Sequence, residues 1–435
     1  MRAGDIAGRL IYHVINTLIP CHRFAAMKDH YYFDNAATSW PKPEVVYTTM
    51  DQFYRNYGVN PGRAGHELAV EAEKMIEETR RLLGLFFDYH GDPHRVVFTQ
   101  NATDSLNIAF FGLLQSGDHV VTTRLEHNSV LRPLAHLKRD GGVDVTYVAR
   151  DAQGYVDPDD IRSAITDKTR MIVVNHASNV LGAVQDLEAI GQISRQAGTL
   201  FVIDSCQSAG VLPIRMDAWG IDVVTFTGHK SLFGPMGIGG MIVREGLDVR
   251  PLRVGGTGVD SIDPYQPEKY PYHLEAGTVA LPGIAGLNAA QKWFASLGRE
   301  QAGDTEGSLS HTEACHAALG HIFELERGHI DRMLAAFRDI DGVKIYGPAG
   351  NRLRVATLSI NVGELPADQV GVMLDADYHV CVRAGLHCAP LVHEDEGTVA
   401  QNGAVRLSPG YFTDDEDLDQ IIEAVGEIAS FASAA

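Results

Sequence analysis

The chain has 435 residues, 45% hydrophobic and 21% charged, which suits a folded protein of two domains and excludes a disordered one. With 56 Asp and Glu against 36 Lys and Arg the formal charge is -20, a poor match for nucleic acid or an anionic membrane surface. The five cysteines (Cys21, Cys206, Cys315, Cys381 and Cys388) are odd in number and widely spaced, with no CxxC pair and no zinc ladder, so free thiols, a reducing cytoplasmic compartment and no metal site are expected.

Residues 1–30 carry a mildly apolar run, Leu10 to Ile19, behind Arg2 and Arg9. It is too short to span a bilayer, is interrupted by His13, Asn16 and Thr17, and lacks a clean small-residue cleavage site. It reads as a poorly structured extension, or as a start taken too early with Met27 the true one, rather than as a secretory signal. Leu68, Ala72, Met75, Ile76, Thr79, Leu82 and Leu83 then share one helical stripe, with Glu and Arg opposite. Strands are expected at 95–99, 118–123, 143–148, 170–175, 199–204, 222–226 and 240–243. Most are continuously apolar and separated by helical patterns, as in a mainly parallel sheet covered on both faces. A Gly- and Pro-rich stretch, 251–283, precedes a long helix at about 300–338. Strands near 343–346, 354–361 and 379–383 and a helix from about 414 complete the chain. The expected fold is α/β: a large domain over 46–296 with a mainly parallel sheet, and a smaller α+β domain from 31–45 and 297–435.

Several segments carry chemistry. Lys230 lies just after a buried strand in Thr225-Phe-Thr-Gly-His-Lys230, followed by a glycine-rich loop. Such a lysine suits a Schiff base held close to a phosphate, although the segment taken alone reads slightly better as a surface lysine in a Gly-rich loop. Asp204 ends a strand, where α/β sheets place ligand chemistry, or else caps a helix, and the two roles compete. Ala102 and Thr103 open a helix, where N–H groups favour a phosphate, but Thr103 or Asp104 also reads as a plain cap. His127 follows the next strand and suits stacking on a flat ring or a structural role. Arg406 suits a bidentate carboxylate clamp or a surface ion pair. Cys388, in Arg383-Ala-Gly-Leu-His-Cys388, has Arg383 and His387 at hand to lower its thiol pKa; Cys381 reads as inert within a strand and Cys206 as a small packing residue.

Asp34-Asn-Ala-Ala-Thr38, Arg63-Ala-Gly-His66, Glu126-His127, His176-Ala-Ser-Asn-Val-Leu-Gly182, Asp204 with Gln207, Gly228-His-Lys230, Glu275-Ala-Gly-Thr278 and Arg383-Ala-Gly-Leu-His-Cys388 occur in this order. Together, from about residue 31 to the C-terminus, they resemble the cysteine desulfurase and selenocysteine lyase branch of the class V aminotransferase-fold enzymes, group II in particular. The resemblance implies a fold type I enzyme that uses pyridoxal 5'-phosphate. Lys230 would carry the cofactor, Asp204 would pair with the pyridine nitrogen, Gln207 with the ring hydroxyl, and His127 would stack on the ring. Ala102, Thr103, Thr227 and His229 would hold the phosphate with Thr278 of a partner subunit, which implies a homodimer with shared active sites. Asn179 and Arg406 would bind the substrate carboxylate, with Asn35, Ala36, Arg383 and His387 nearby. Cys388 would accept sulfur from L-cysteine and pass it to an acceptor protein. Leu386 departs from the family, which carries His there.

Two rival functions stand beside this one. Another reaction on the same cofactor, such as selenocysteine cleavage or transamination, would not need Cys388. A scaffold that relays sulfur with little catalysis would not need Lys230, Asp204 and Arg406 together.

Overall fold

The computed structural model describes residues 30–61, 65–350 and 352–434. The N-terminal extension through residue 29, and Arg63 and Ala64 of the Arg63-to-His66 segment, lie outside the described residues.

Strand β1 (Tyr31–Tyr32) leads to helices α1 (Glu44–Tyr57) and α2 (Glu67–Phe86). Next come β2 (Val96–Thr99), α3 (Ala102–Leu113), β3 (His119–Thr123), α4 (Asn128–Asp140), β4 (Asp144–Val148), α5 (Pro158–Ala164), β5 (Thr169–Asn175), α6 (Leu187–Ala197), β6 (Leu200–Asp204), α7 (Met216–Trp219), β7 (Val223–Thr227) and β8 (Gly239–Val243). The remainder is α8 (Leu281–Ala302), α9 (His311–Arg338), β9 (Val343–Tyr346), β10 (Leu358–Val362), α10 (Ala367–Tyr378), β11 (Val380–Cys381), β12 (Arg383–Gly385), α11 (Pro390–Glu396), β13 (Ala404–Leu407) and α12 (Asp415–Ala434).

A seven-stranded sheet in the order β2-β8-β7-β6-β5-β3-β4 forms the larger part. Its pairs β7–β6, β6–β5, β5–β3 and β3–β4 are parallel, and β8 runs antiparallel to both neighbours. Strands β2, β3, β6, β7 and β8 are buried along their whole length, which is why their sequences do not alternate apolar with exposed polar residues. One cluster of apolar side chains lies on each face, one around Phe201, Phe226 and Phe294, the other around Leu106, Phe110 and Val202. The smaller part is an antiparallel sheet, β12-β13-β10-β9, whose core of Ile360, Leu374, Val405 and Ile421 is closed by α9, α10 and α12. β1 pairs in parallel with β11, so the segment after residue 30 is built into this smaller part.

Three local expectations are corrected. The long helix expected over 300–338 is two helices, broken at Gly303 (φ 67°) and restarted by a capping box between Ser310 and Glu313. On α2 Leu68 is exposed and Ala69 takes the buried position; Arg80, expected on the solvent face, is buried. The strand expected near 379–383 is two short strands, β11 and β12, and that expected over 354–361 begins only at Leu358.

Candidate active site

Since β8 is antiparallel to both β2 and β7, the strands β2, β7, β6, β5 and β3 all end at one edge of the sheet, the carboxyl edge where open α/β sheets bind ligands. Each contributes to a cavity of about 290 Å³. Lining it are Asn101, Ala102 and Thr103 after β2, His127 after β3, Asn175 and Asn179 from β5 and its following turn, Asp204, Cys206 and Gln207 from β6, and Thr227, His229 and Lys230 from β7. The smaller part adds Arg383, His387, Cys388 and Arg406, and the turn after β1 adds Ala36. Asn35 lies outside the cavity, its side chain taken up by the Ser408 carbonyl (3.0 Å) and the Trp40 N–H (3.2 Å). Thr278, expected to serve a partner subunit's site, is exposed and does not line this cavity.

The helix α3 is capped by Asn101, whose Oδ1 accepts from the Asp104 N–H at 3.0 Å, so neither Thr103 nor Asp104 is the cap and the Thr103 hydroxyl is left to the cavity. Gly239 makes this packing possible: a Cβ there would lie 2.8 Å from the Asn101 Cα and 2.7 Å from the Phe226 carbonyl. Opposite, the Thr227 hydroxyl and His229 Nδ1 are buried without partners. A helix N-terminus facing a free hydroxyl and a free imidazole nitrogen fits a phosphate. Burial, with Lys230 and Lys42 adding to it, holds His229 down to about 4, so it is neutral.

The Lys230 loop is gripped from outside. The His229 carbonyl accepts from the Thr38 hydroxyl (3.0 Å), the Ser39 N–H (3.1 Å) and the Lys42 ammonium (2.9 Å), and the Ser39 hydroxyl donates to the Lys230 carbonyl (2.9 Å). Lys42, unmarked in the sequence, is lowered to about 8 by burial. Asp204 caps no helix. Its Oδ1 accepts from the Cys206 N–H at 2.9 Å, in a turn rather than a helix, and the side chain still faces the cavity. Gln207 donates to the Ala36 carbonyl at 3.0 Å, which leaves one amide hydrogen uncommitted. Cys206 lines the cavity, and burial followed by Asp204 raises its thiol well above the ordinary range.

His127 caps α4 through Nδ1, which accepts from the Ser129 N–H at 3.0 Å. That bond places the imidazole proton on Nε2 and keeps the ring neutral; burial, then Lys230, lowers it to about 4. Behind it Glu126 is fully buried, with Oε1 accepting from Thr123 (2.7 Å) and the Asn175 N–H (3.1 Å) and Oε2 unpartnered. Burial pushes Glu126 up to about 8, so its carboxyl is neutral.

Arg406 is 2% exposed, and its Nη2 donates to Asp34 at 2.8 Å, so it is a buried ion pair rather than a surface one. Nη1 donates to the Asn179 carbonyl (3.1 Å), while Nε is buried without a partner, which leaves one donor for a substrate carboxylate; the Asn179 Oδ1, also unpartnered, can only accept. His387, next to Cys388 in the chain, carries no charge. It is buried, Nε2 donates to the Ala404 carbonyl at 3.0 Å, and burial followed by Arg406 keeps it well below its ordinary value. A neutral imidazole adds no positive charge beside Cys388, whereas the Arg383 guanidinium lines the same cavity.

Residues 31–327 and 318–421 match the class-V aminotransferases. A probable cysteine desulfurase of Methanothermobacter thermautotrophicus is 32% identical over 93% of this chain and 96% of its own length. The apo structure of cysteine desulfurase from Thermococcus onnurineus NA1 superposes with a TM-score of 0.82 at 30% identity, covering 93% of this chain and 95% of that one. The cysteine desulfurase CsdA of Escherichia coli gives 0.78 at 25%, covering 93% and 95%. The chain belongs to the class-V aminotransferase family and, within it, to the cysteine desulfurases.

Proposed function

We propose that the protein is a pyridoxal-phosphate-dependent cysteine desulfurase that takes sulfur from L-cysteine onto Cys388 and releases L-alanine. The observation that carries this reading is one cavity that gathers an amine (Lys230), a carboxylate at a central strand end (Asp204), a carboxylate-binding guanidinium (Arg406) and a thiol (Cys388). When bound, pyridoxal phosphate supplies an electron-withdrawing ring that stabilises negative charge at the substrate α-carbon.

The protein's own groups do the rest. Thr103, Thr227, His229 and the N-terminus of α3 would hold the phosphate, Lys230 would tether the cofactor, and Asp204 would keep its ring nitrogen protonated. Arg406 and Asn179 orient the substrate carboxylate. Lys230 Nζ would move the α-proton. The neutral His127 presents Nε2–H without adding charge. The Cys388 thiolate attacks the substrate sulfur: an S–S bond forms, the C–S bond breaks, and its electron pair stays with the substrate carbon, which takes up a proton and leaves as alanine. The persulfide on Cys388 then passes to the thiol of an acceptor protein.

A homodimer with shared sites is part of this proposal. Thr278 sits exposed after a stretch that also exposes Val254, Ile262 and Tyr265, the surface expected of a segment meeting a second copy. No described helix is long and apolar enough to cross a membrane, and no described cluster suits a metal ion. The free thiols and acidic charge support a cytoplasmic site of action.

The test is the purified protein, supplied with pyridoxal phosphate and L-cysteine, assayed for alanine and sulfide in the presence of a reductant. Equal amounts of both are expected, and Cys388→Ala is expected to abolish them. Cys388→Ala that still forms alanine from cysteine would mean the sulfur leaves by another route. Selenocysteine run in parallel separates a lyase, which keeps turnover in that variant, from a desulfurase.

A further inference from the structure

Cys388 is followed at once by the short helix α11, and the acids at the end of that helix face two arginines from the seven-stranded part. Arg124, next after β3, places Nε 3.0 Å from both Asp395 carboxylate oxygens and Nη2 2.7 Å from Oδ1. Arg150, just beyond β4, places Nη2 2.7 Å from Glu396, and its side chain is 5% exposed. The two arginines sit side by side because the Arg124 N–H donates to the Val148 carbonyl at 3.0 Å, continuing the β3–β4 ladder.

The other end of the segment is held from the same turn and from the turn after β5. The Asn128 N–H donates to the Cys388 carbonyl at 2.6 Å, and Asn179 Nδ2 to the His387 carbonyl at 2.6 Å. Residues 124–128 therefore carry His127 at the cavity, bond Cys388 through Asn128, and grip the end of α11 through Arg124. His387 and Cys388 both adopt positive φ (47° and 58°), a conformation that side-chain-bearing residues hold only when their surroundings enforce it. Arg124 and Asp395 stay 30% and 27% exposed, so this pair adds little to global stability, and its geometry is better explained by placement.

We propose that Arg124 and Arg150, with Asp395 and Glu396, form an interdomain clamp that positions the Cys388 thiol against the cavity. None of the four touches substrate; they are positioning residues. The proposal rests on the reading of Cys388 as the sulfur acceptor. With the clamp shut, the thiol keeps a fixed distance from the turn bearing His127, and sulfur leaves only when an acceptor reaches it or when α11 lifts away.

The experiment uses the holoenzyme without substrate and measures the rate of iodoacetamide alkylation at Cys388 by peptide mass. Turnover with cysteine and melting temperature are measured beside it. In Arg124→Ala/Arg150→Ala, alkylation is expected to quicken about threefold or more as the segment opens locally. kcat is expected to fall about tenfold as the thiol loses its alignment, with KM nearly unchanged. The exchanged pair Arg124→Asp/Asp395→Arg is expected to restore both toward the unmodified values. Arg124→Lys/Arg150→Lys keeps the charges while losing the fork, and should fold if the alanine variant does not; it is expected to lie between. Unchanged alkylation and kcat in the folded variants, or an exchanged pair no better than either single change, overturns the clamp. Cys388→Ala keeps the two ideas apart: if it is inactive while the arginine variants behave as unmodified enzyme, the clamp alone fails; if it still turns cysteine over, the sulfur-acceptor reading fails.

Discussion

Arg406 and Asp34 meet across 2.8 Å at the base of the cavity, yet the pair leaves the guanidinium Nε buried and without a partner. Asp34 sustains a charge that burial opposes, and it fixes the plane of the fork while part of the fork stays available. Replacing Arg406 by Lys keeps the charge and loses that geometry. Steady-state kinetics with L-cysteine should then show kcat/KM reduced about 10- to 100-fold, mostly through KM, as for the loss of one charged hydrogen bond. An unchanged KM would place the substrate carboxylate elsewhere.

A second buried pair is structural. Arg80 grips Glu275 through two bonds of 2.7 and 2.8 Å, and Glu275 also accepts the Phe98 N–H at 2.6 Å. The pair ties α2 and β2 to the segment that runs on to Thr278. Arg80→Met leaves a buried carboxylate unpaired and should cost about 3–5 kcal/mol in denaturant unfolding. Arg80→Met with Glu275→Leu should cost clearly less than the single change. Additive losses in that cycle would mean the two residues do not act as a pair.

The buried ionisable groups set opposite pH dependences. His127 and His229, lowered to about 4, and His176, lowered to about 3, bind no proton in the folded state where the unfolded chain does, so stability is lost as pH falls from about 6.5 toward 4. Glu126 and Glu326, raised to about 8 by burial, hold protons that the unfolded chain has released. Their contribution is complete below about 4.5 and is lost as pH rises through 8. Glu126→Gln keeps the shape and removes the titration. Urea unfolding at pH 6.5 and pH 8 should show a smaller loss across that interval in the variant, whereas an identical loss would mean Glu126 is already ionised.

Local sequence carried the sheet well, because strands buried on both faces are uninterrupted apolar runs that end in the residues of the site. Lys230, Asp204, His127, Thr103 and Cys388 are legible because each stands at or just beyond the end of a strand, and the ordered segments around them strengthen one another. What stayed hidden depends on partners far along the chain. Arg80 looks like a solvent-facing residue until Glu275, 195 positions away, is folded against it. Asp34 was marked as part of a motif, but nothing local assigns it to Arg406. Arg124, Arg150 and Lys42 sit in ordinary polar stretches, and His387 looks like a cation until its burial is known. The break before α9 was legible and was missed: Ser310 followed three residues on by Glu313 spells a capping box.

The whole account turns on Lys230 as the covalent anchor. The direct measurement is borohydride reduction of the protein reconstituted with pyridoxal phosphate, followed by peptide mass mapping. The account requires a stable phosphopyridoxyl adduct on the peptide containing Lys230, absent in Lys230→Ala. An adduct on another lysine, or none from protein that has taken up the cofactor, would contradict it.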